Sequence, residues 1–360
     1  MAKKLLLHTT TYLDLHKPIV AEFEKRGWEV TTVIDRLLEG DEKLRSTPLR
    51  DFAKKFIQLP KHRSWHKRAM QFWDEKLPAL DTHYDLFLCL NAFTIPAEAV
   101  KAIKERTDRT VLYAWDCSAI WDFSVIAPYF DAAFTFDLAD SMKSKHLNLL
   151  PNYFQPSEPD VPSTPKYSAV MLGANRAQRL NFIYALAAEL RRHRLDNYYL
   201  KLMPHELPPL SQRIFKDYRL TKKLNSGQLE EFTLHSPVSA KEYQQMMRES
   251  AIVIDDVMPR QSGLTPRFMW ALANNKKIIT TNRWAHHYSF VNPADVLIVD
   301  RKHPAIPAEF LSSEVAPMSK TLEVASLPRW VDIIAGDARL PDQCKKKVVK
   351  IKTKLINFAL

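Results

Sequence analysis

Taken as a pattern of apolar and polar positions, the first half of the chain divides into compact apolar runs separated by helical stretches. Lys4 to Thr10, Glu29 to Asp35, Asp85 to Asn91, Thr110 to Asp116 and Ala132 to Asp137 have the length and apolar content of buried strands. Between them, Pro18 to Arg26 and Ile95 to Arg106 repeat their apolar residues at helical spacing. Strands alternating with helices predict parallel pairing through right-handed crossovers, hence a doubly wound sheet.

The pattern stops at Leu150. Five of the 23 prolines fall from Pro151 to Pro165, which predicts an extended linker over residues 151–166. A second series follows: a strand from Tyr167 to Gly173, a helix from Gln178 to Arg192, then strands at Tyr198 to Leu202, Phe232 to Leu234, Ala251 to Asp255, Lys277 to Thr281 and Val296 to Val299. Two αβα domains are therefore expected, over residues 1–150 and 167–335. A last helical stretch, Leu340 to Phe358, comes after the second sheet is complete. A chain of 360 residues is comfortable for two cores.

Composition narrows the class. With 46% hydrophobic and 26% charged residues the chain is globular rather than disordered. No apolar run approaches the ~20 residues that span a bilayer. Met1 to Thr10 has a basic start and a short apolar run but no convincing cleavage site, so it reads as a first strand rather than a signal peptide. Cys89, Cys117 and Cys344 show neither metal spacing nor a disulfide framework, which fits a reducing cytoplasm.

A net charge of +11 calls for an anionic partner, such as a nucleotide sugar, a phosphorylated glycolipid, a membrane face or nucleic acid. Lys54-Lys55, Lys61-His-Arg63 and His66-Lys67-Arg68 cluster with Trp65, Phe72 and Trp73, and Lys345-Lys-Lys347 through Lys354 form a second group. Such basic and aromatic patches would hold a protein peripherally on the inner face of an anionic membrane. No zinc spacing, RNA-binding motif or helix-turn-helix supports the nucleic-acid alternative.

Chemistry concentrates in Met258 to Asn282. The apolar run Ala251 to Asp255 ends in a loop, Gln261-Ser-Gly-Leu-Thr265, that feeds a helix from Leu264 to Ala273. Thr265 is a good N-cap and Pro266 suits the first turn. A helix start beyond the carboxyl end of a strand offers N–H groups and positive potential to an anion such as a pyrophosphate. Arg260 and Arg267 flank it with donors suited to phosphate. On the helix, Leu264, Phe268, Ala271 and Leu272 should face the core.

The string from Gln261 to Asn282 resembles the donor-binding half of GT-B glycosyltransferases of bacterial lipopolysaccharide, capsule and exopolysaccharide synthesis. The likeness extends more weakly to Tyr288 through Arg301, to Leu112-Tyr-Ala-Trp-Asp116 and to Phe134-Thr-Phe-Asp137. It implies an α/β GT-B fold, two Rossmann-like αβα domains facing a central cleft. It also implies a C-terminal helix over residues 336–360 that crosses back to the first domain. The donor would occupy the second domain, on Gly173, Arg176, Arg179, His235, Ser236, Gln261, Ser262, Gly263, Leu264, Thr265 and Arg267. Gly173 would let backbone approach the ligand, the arginines would clamp a diphosphate, and His235 would meet the base.

The first domain would hold the acceptor and any general base. Asp116 ends a strand and is the leading candidate, with Asp122, Asp137 and His8 as rivals. Retaining members of the family carry two glutamates where this chain has Ser262 and Trp270, so stereochemistry stays open. Asp255-Asp256 looks like a metal pair, but GT-B enzymes manage the leaving diphosphate with helix dipole and cations. No metal or cofactor is therefore expected. The expected function is sugar transfer from a nucleotide-sugar donor to a glycan or lipid-linked acceptor. A non-catalytic nucleotide-sugar-binding or scaffold protein is the first alternative and a basic nucleic-acid-binding protein the second.

Overall fold

The structure is a computed structural model. It describes residues 2–10, 14–35, 58–155, 164–174, 177–203, 230–236, 238–317 and 320–341, apart from the side chains of 58–65, 177, 320 and 321. The chain forms two compact units, Met1–Asn152 with Val324–Leu360, and Tyr153–Glu323.

In the first unit, β1 (Lys4–Thr9), β2 (Glu29–Ile34), β3 (Leu86–Leu90), β4 (Thr110–Ala114), β5 (Ala132–Thr135) and β6 (Asn148–Leu149) pair in the order β2-β1-β3-β4-β5-β6. Every pairing is parallel. Central strands β3 and β4 are buried along their whole length, as a sheet covered on both faces requires. Between these strands the described residues form α1 (Lys17–Lys25), α2 (Gln58–Lys76), α3 (Ala97–Lys104) and α4 (Leu138–Lys143). Trp73 of α2 and Val100 and Ile103 of α3 belong to the core around Phe87, Cys89 and Leu112.

In the second unit, β7 (Tyr167–Ala174), α5 (Ala177–Arg192), β8 (Tyr198–Met203), α6 (Ala240–Arg248), β9 (Ser250–Asp255), α7 (Pro266–Ala273), β10 (Lys277–Thr280), β11 (Val296–Ile298) and α8 (Ala308–Ser312) follow one another. The strands run β11-β10-β9-β7-β8, again all parallel. Counted from its own first strand, each unit has the order 2-1-3-4-5, and the first adds a sixth strand. In such sheets the crevice beyond the carboxyl ends opens where the order reverses, between β1 and β3 and between β7 and β9.

Four expectations need correction. Phe232 to Leu234 is not a strand: a 3-10 turn covers Glu230–Phe232, and Thr233 makes one isolated bridge to Leu202. The expected linker begins as packed chain, with Asn152, Tyr153 and Phe154 all buried. Asn152 also accepts the Tyr113 hydroxyl at 3.0 Å. The second unit ends at Glu323, not at 335. Helix α9 (Leu327–Ala335) belongs to the first unit, where Trp330 packs edge-on against Tyr113 at 4.8 Å. Arg26, just past α1, pairs with Asp332 and donates to the Pro328 carbonyl at 2.8 Å. Gly336 closes α9 at φ 87°, and a Cβ there would meet the Arg109 guanidinium at 2.9 Å.

The fourth correction concerns the expected basic and aromatic surface. Trp73 is fully buried, and Phe72 packs against the same core. The second basic group and most of the expected terminal helix lie outside the described residues, as do Lys54 and Lys55.

Candidate functional site

The carboxyl ends of β7 and β9 carry a network of two carboxylates and three guanidinium groups. Asp255 ends β9 with its side chain sealed from solvent, and burial pushes its carboxyl up from the ordinary range. It accepts the hydroxyls of Thr265 at 2.7 Å and Thr280 at 3.1 Å, and Arg267 stands 3.8 Å away. Asp256 accepts from Arg179 Nε at 3.0 Å, Arg301 Nε at 2.8 Å and the Thr281 hydroxyl at 2.9 Å. Three cations against two carboxylates leave one positive charge, which favours an anion at this end of the sheet.

Thr265 caps α7 as expected, its hydroxyl accepting the Phe268 N–H at 3.1 Å while donating to Asp255. Pro266 occupies the first turn. Phe268 and Ala271 are buried as their spacing requires, with Leu264 beside them, whereas Leu272 is only half-buried. The loop is braced from behind. Asn282 Nδ2 donates to the carbonyls of Ser262 at 3.2 Å and Gly263 at 3.1 Å, and the Tyr288 hydroxyl donates to Ser262 at 3.1 Å. Gln261 Nε2 bonds the Gly263 carbonyl at 3.0 Å.

The arginines differ from expectation in their partners. Arg267 donates to the Leu172 carbonyl at 2.7 Å and the Ile254 carbonyl at 3.3 Å, tying β7 to β9. Arg179 adds bonds to the Ala174 and Asp256 carbonyls, both at 3.0 Å. Gly173 is small for that reason, since a Cβ there would stand 2.9 Å from Arg179 Nη1. The room expected for a ligand holds an arginine. Arg260 is exposed, with a left-handed φ of 72°. His235 is exposed beside Ser236 and pairs with Glu230, and Arg176 lies outside the described residues.

In the first unit the register sets His8 opposite Cys89. Its Nδ1 lies 3.2 Å from Cys89 Sγ, its Nε2 3.4 Å from Asp35, and its ring packs on Trp73 at 5.1 Å. His8 has no solvent exposure, so this rival base cannot meet a substrate hydroxyl. Asp137 is buried and caps α4 by accepting the Asp140 N–H at 3.1 Å. Asp122 is exposed and caps a short turn through the Ser124 N–H at 3.0 Å.

Asp116 remains half-exposed beyond β4, where Asn91 Nδ2 donates to it at 2.7 Å. Asn91 stands just past β3 at φ 55° and also accepts the Trp115 N–H at 2.8 Å. Burial pushes the neighbouring Cys117 thiol up to about 12 and raises Cys89 well above the ordinary range, so neither supplies a thiolate at neutral pH.

Sequence reasoning gave no role to Asn91, Asn282, Arg301 and His16, and it weighed Asp256 as half of a metal pair rather than as the partner of Arg179 and Arg301. His16 precedes α1, its ring is nearly enclosed, and burial lowers its pKa, so it is a neutral imidazole at neutral pH. Its place after β1 was the available signal. Among the described residues, His83, Asp85 and Asp108 come close enough together to share a metal ion. They precede β3 and β4, at the opposite sheet end from Asp116, and Asp85 already accepts the Lys4 N–H at 2.7 Å.

No family model and no curated protein matches the sequence. Solved structures match in fold. A UDP-forming trehalose-phosphate synthase from Burkholderia vietnamiensis matches at TM-score 0.58 and 11% identity, over 93% of this chain and 99% of that one. The trehalose-6-phosphate phosphatase N-terminal domain of Candida albicans gives 0.56 at 9%, over 94% and 96%. The UDP-GlcNAc 2-epimerase of Methanocaldococcus jannaschii, solved with UDP-GlcNAc and UDP, gives 0.55 at 11%, over 93% and 100%. The chain thus has the α/β fold of the GT-B type, two units each built on a parallel sheet. Among the described residues no helix is long and apolar enough to cross a membrane.

Proposed function

We propose that the protein is a glycosyltransferase. It moves a sugar from a nucleotide-sugar donor to a glycan or lipid-linked acceptor in bacterial surface-polysaccharide synthesis. One observation carries this reading. The β9–loop–α7 segment lies where the strand order of the second sheet reverses, with Thr265 capping α7 over a cation-rich network. The fold is one that a nucleotide-sugar epimerase also has.

The donor diphosphate meets the start of α7, through the backbone of Gly263 and Leu264 and the Thr265 hydroxyl. Arg179 and Arg267 act there mainly by charge and by holding strand ends in place, since their donors serve protein acceptors. His235 and Ser236 belong to the base end of the same donor site. In the first unit Asp116 takes the acceptor hydroxyl's proton, with Asn91 orienting its carboxylate. Ser262 and Trp270 offer no carboxylate, which leaves the stereochemistry open, and with Asp116 as base the transfer would invert the anomeric centre. The reaction needs no metal, and the protein works in the cytoplasm.

A thermal-shift panel of UDP, GDP, CMP and dTDP sugars, with and without EDTA, tests the reading. A donor at a hundred times its Kd should stabilise the fold by about 2.7 kcal/mol, unaffected by the chelator. No shift with any member, alongside tight oligonucleotide binding at physiological salt, would defeat the reading. Stabilisation without turnover on any acceptor would favour a non-catalytic nucleotide-sugar-binding protein.

A further inference from the structure

Six large hydrophobic side chains are exposed among the described residues, and five of them lie in two neighbouring segments of the first unit. Ile120, Trp121, Val125 and Tyr129 follow β4, and Met142 is on α4, which follows β5. The hydrogen bond from the Ser118 N–H to Asp140 of α4, at 2.6 Å, joins the two segments. Val125 is 72% exposed, well beyond what packing explains.

The segment is not slack. Phe123, Ala127 and Phe130 anchor it in the core from below. Its backbone is satisfied internally by bonds from Ile120 and Trp121 to the Cys117 carbonyl, from Ile126 to Phe123, from Tyr129 to Ile126 and from Phe130 to Ala127. Asp122 closes the turn through Ser124. Trp121 is set edge-on to Phe93 at 5.8 Å. Backbone N–H groups that carry their own partners lower the cost of taking an apolar tip out of water, and those of Ile120, Trp121, Ser124, Ile126, Tyr129 and Phe130 do so. Tryptophan and tyrosine among aliphatic residues are the composition of a bilayer interface, where one end of each ring stays wet.

Charge decides the kind of surface. Lys101 lies over the Tyr129 ring at 5.5 Å, and Lys143 and Lys145 are exposed just past Met142. Of the exposed acidic groups nearby, Glu98 faces His66 at 3.4 Å, Asp122 is engaged in its cap, and Asp131 pairs with Lys104 and accepts the Thr110 N–H at 2.8 Å. The chain as a whole carries +11.

We propose that residues 117–130, with Met142, form a docking surface for an anionic lipid bilayer. This is a different segment from the basic and aromatic cluster around Trp73, whose tryptophan is core. The proposal does not depend on the donor reading, because vesicle binding is measured without nucleotide.

The test is co-sedimentation of the full chain with phosphatidylcholine vesicles, with and without phosphatidylglycerol. Wild type should bind the anionic vesicles and bind plain phosphatidylcholine weakly. Val125→Glu should weaken partitioning about tenfold without lowering Tm, since the side chain touches little in the fold. Lys101→Glu should narrow the difference between the two vesicle types. Absence of wild-type binding to anionic vesicles would overturn the proposal, as would undiminished binding by Val125→Glu. A concentration-dependent dimer that Val125→Glu dissolves, with no vesicle binding, would assign the surface to a second copy instead.

Discussion

The carboxyl end of the first sheet and that of the second have the same strand order but opposite chemistry. At this end of the first sheet His8 in β1, Asp35 just past β2 and Asn91 just past β3 are buried, whereas Asp116 beyond β4 is half-exposed. Beyond β7 and β9 the polar groups are ions, two carboxylates enclosed by three arginines and capped by threonine hydroxyls. The first end is therefore suited to moving a proton at one carboxylate. The second is suited to holding an anion by a fixed field, because its guanidinium groups are anchored before any ligand arrives. One sheet order supports both, since the residues just past each strand set the chemistry and the strands only fix their positions.

The comparison is tested most sharply at Asp116. As the general base, its change to Asn should lower turnover by ~10²–10⁴-fold while donor affinity stays nearly constant. Because Asn keeps the shape and can still bond Asn91, near-normal turnover in the Asp116→Asn protein would take proton transfer away from this residue.

Next in size is Arg179→Ala. It leaves Asp256 buried with Arg301 as its one remaining guanidinium partner, and breaking a buried pair from one side costs about 3–5 kcal/mol. Chemical denaturation should show that loss. A variant as stable as wild type would mean that Arg179 is available to a ligand rather than committed to the fold.

Thr265→Ala removes both the α7 cap and a partner of Asp255, with an expected loss of about 1–2 kcal/mol in the same assay. Weaker donor binding should accompany it. Intact donor affinity would shift the diphosphate away from the start of α7.

The smallest effect is expected at Lys276, a nearly buried lysine whose pKa burial alone lowers from 10.5. Below its folded pKa the charged form is destabilised relative to the unfolded chain. Stability should therefore rise as pH climbs from the folded pKa toward 10.5. Lys276→Met should stabilise the protein slightly at neutral pH, and the difference should shrink toward alkaline pH. A constant difference across that range would show that deprotonation has no part in it.

Apolar runs located almost every strand because parallel strands covered on both faces cannot alternate, so their signal is continuous. Phe232 to Leu234 carried the same signal and failed: three residues ending in one bridge to Leu202 are too few to sustain a ladder. Thr265 and Pro266 were legible as a helix start because capping is local. So was the position of Asp116 just past the end of a strand. The partners were not. Arg179 reaches Asp256 across 77 positions, His8 reaches Cys89 across 81, and Arg26 reaches Asp332 across 306. No spacing rule carries over such distances.

The sequence by itself determined the parallel α/β class, the two series of strands, the start of α7 and the chain's strongly basic character. These depend on periodicity, capping and composition, all set within a few neighbouring residues. Only the tertiary structure decided that His8 is sealed while Asp116 is reachable, that Gly173 makes room for an arginine, and that α9 returns to the first unit. Each of those depends on which side chains share a volume, and the fold assigns that volume to residues that the chain keeps far apart.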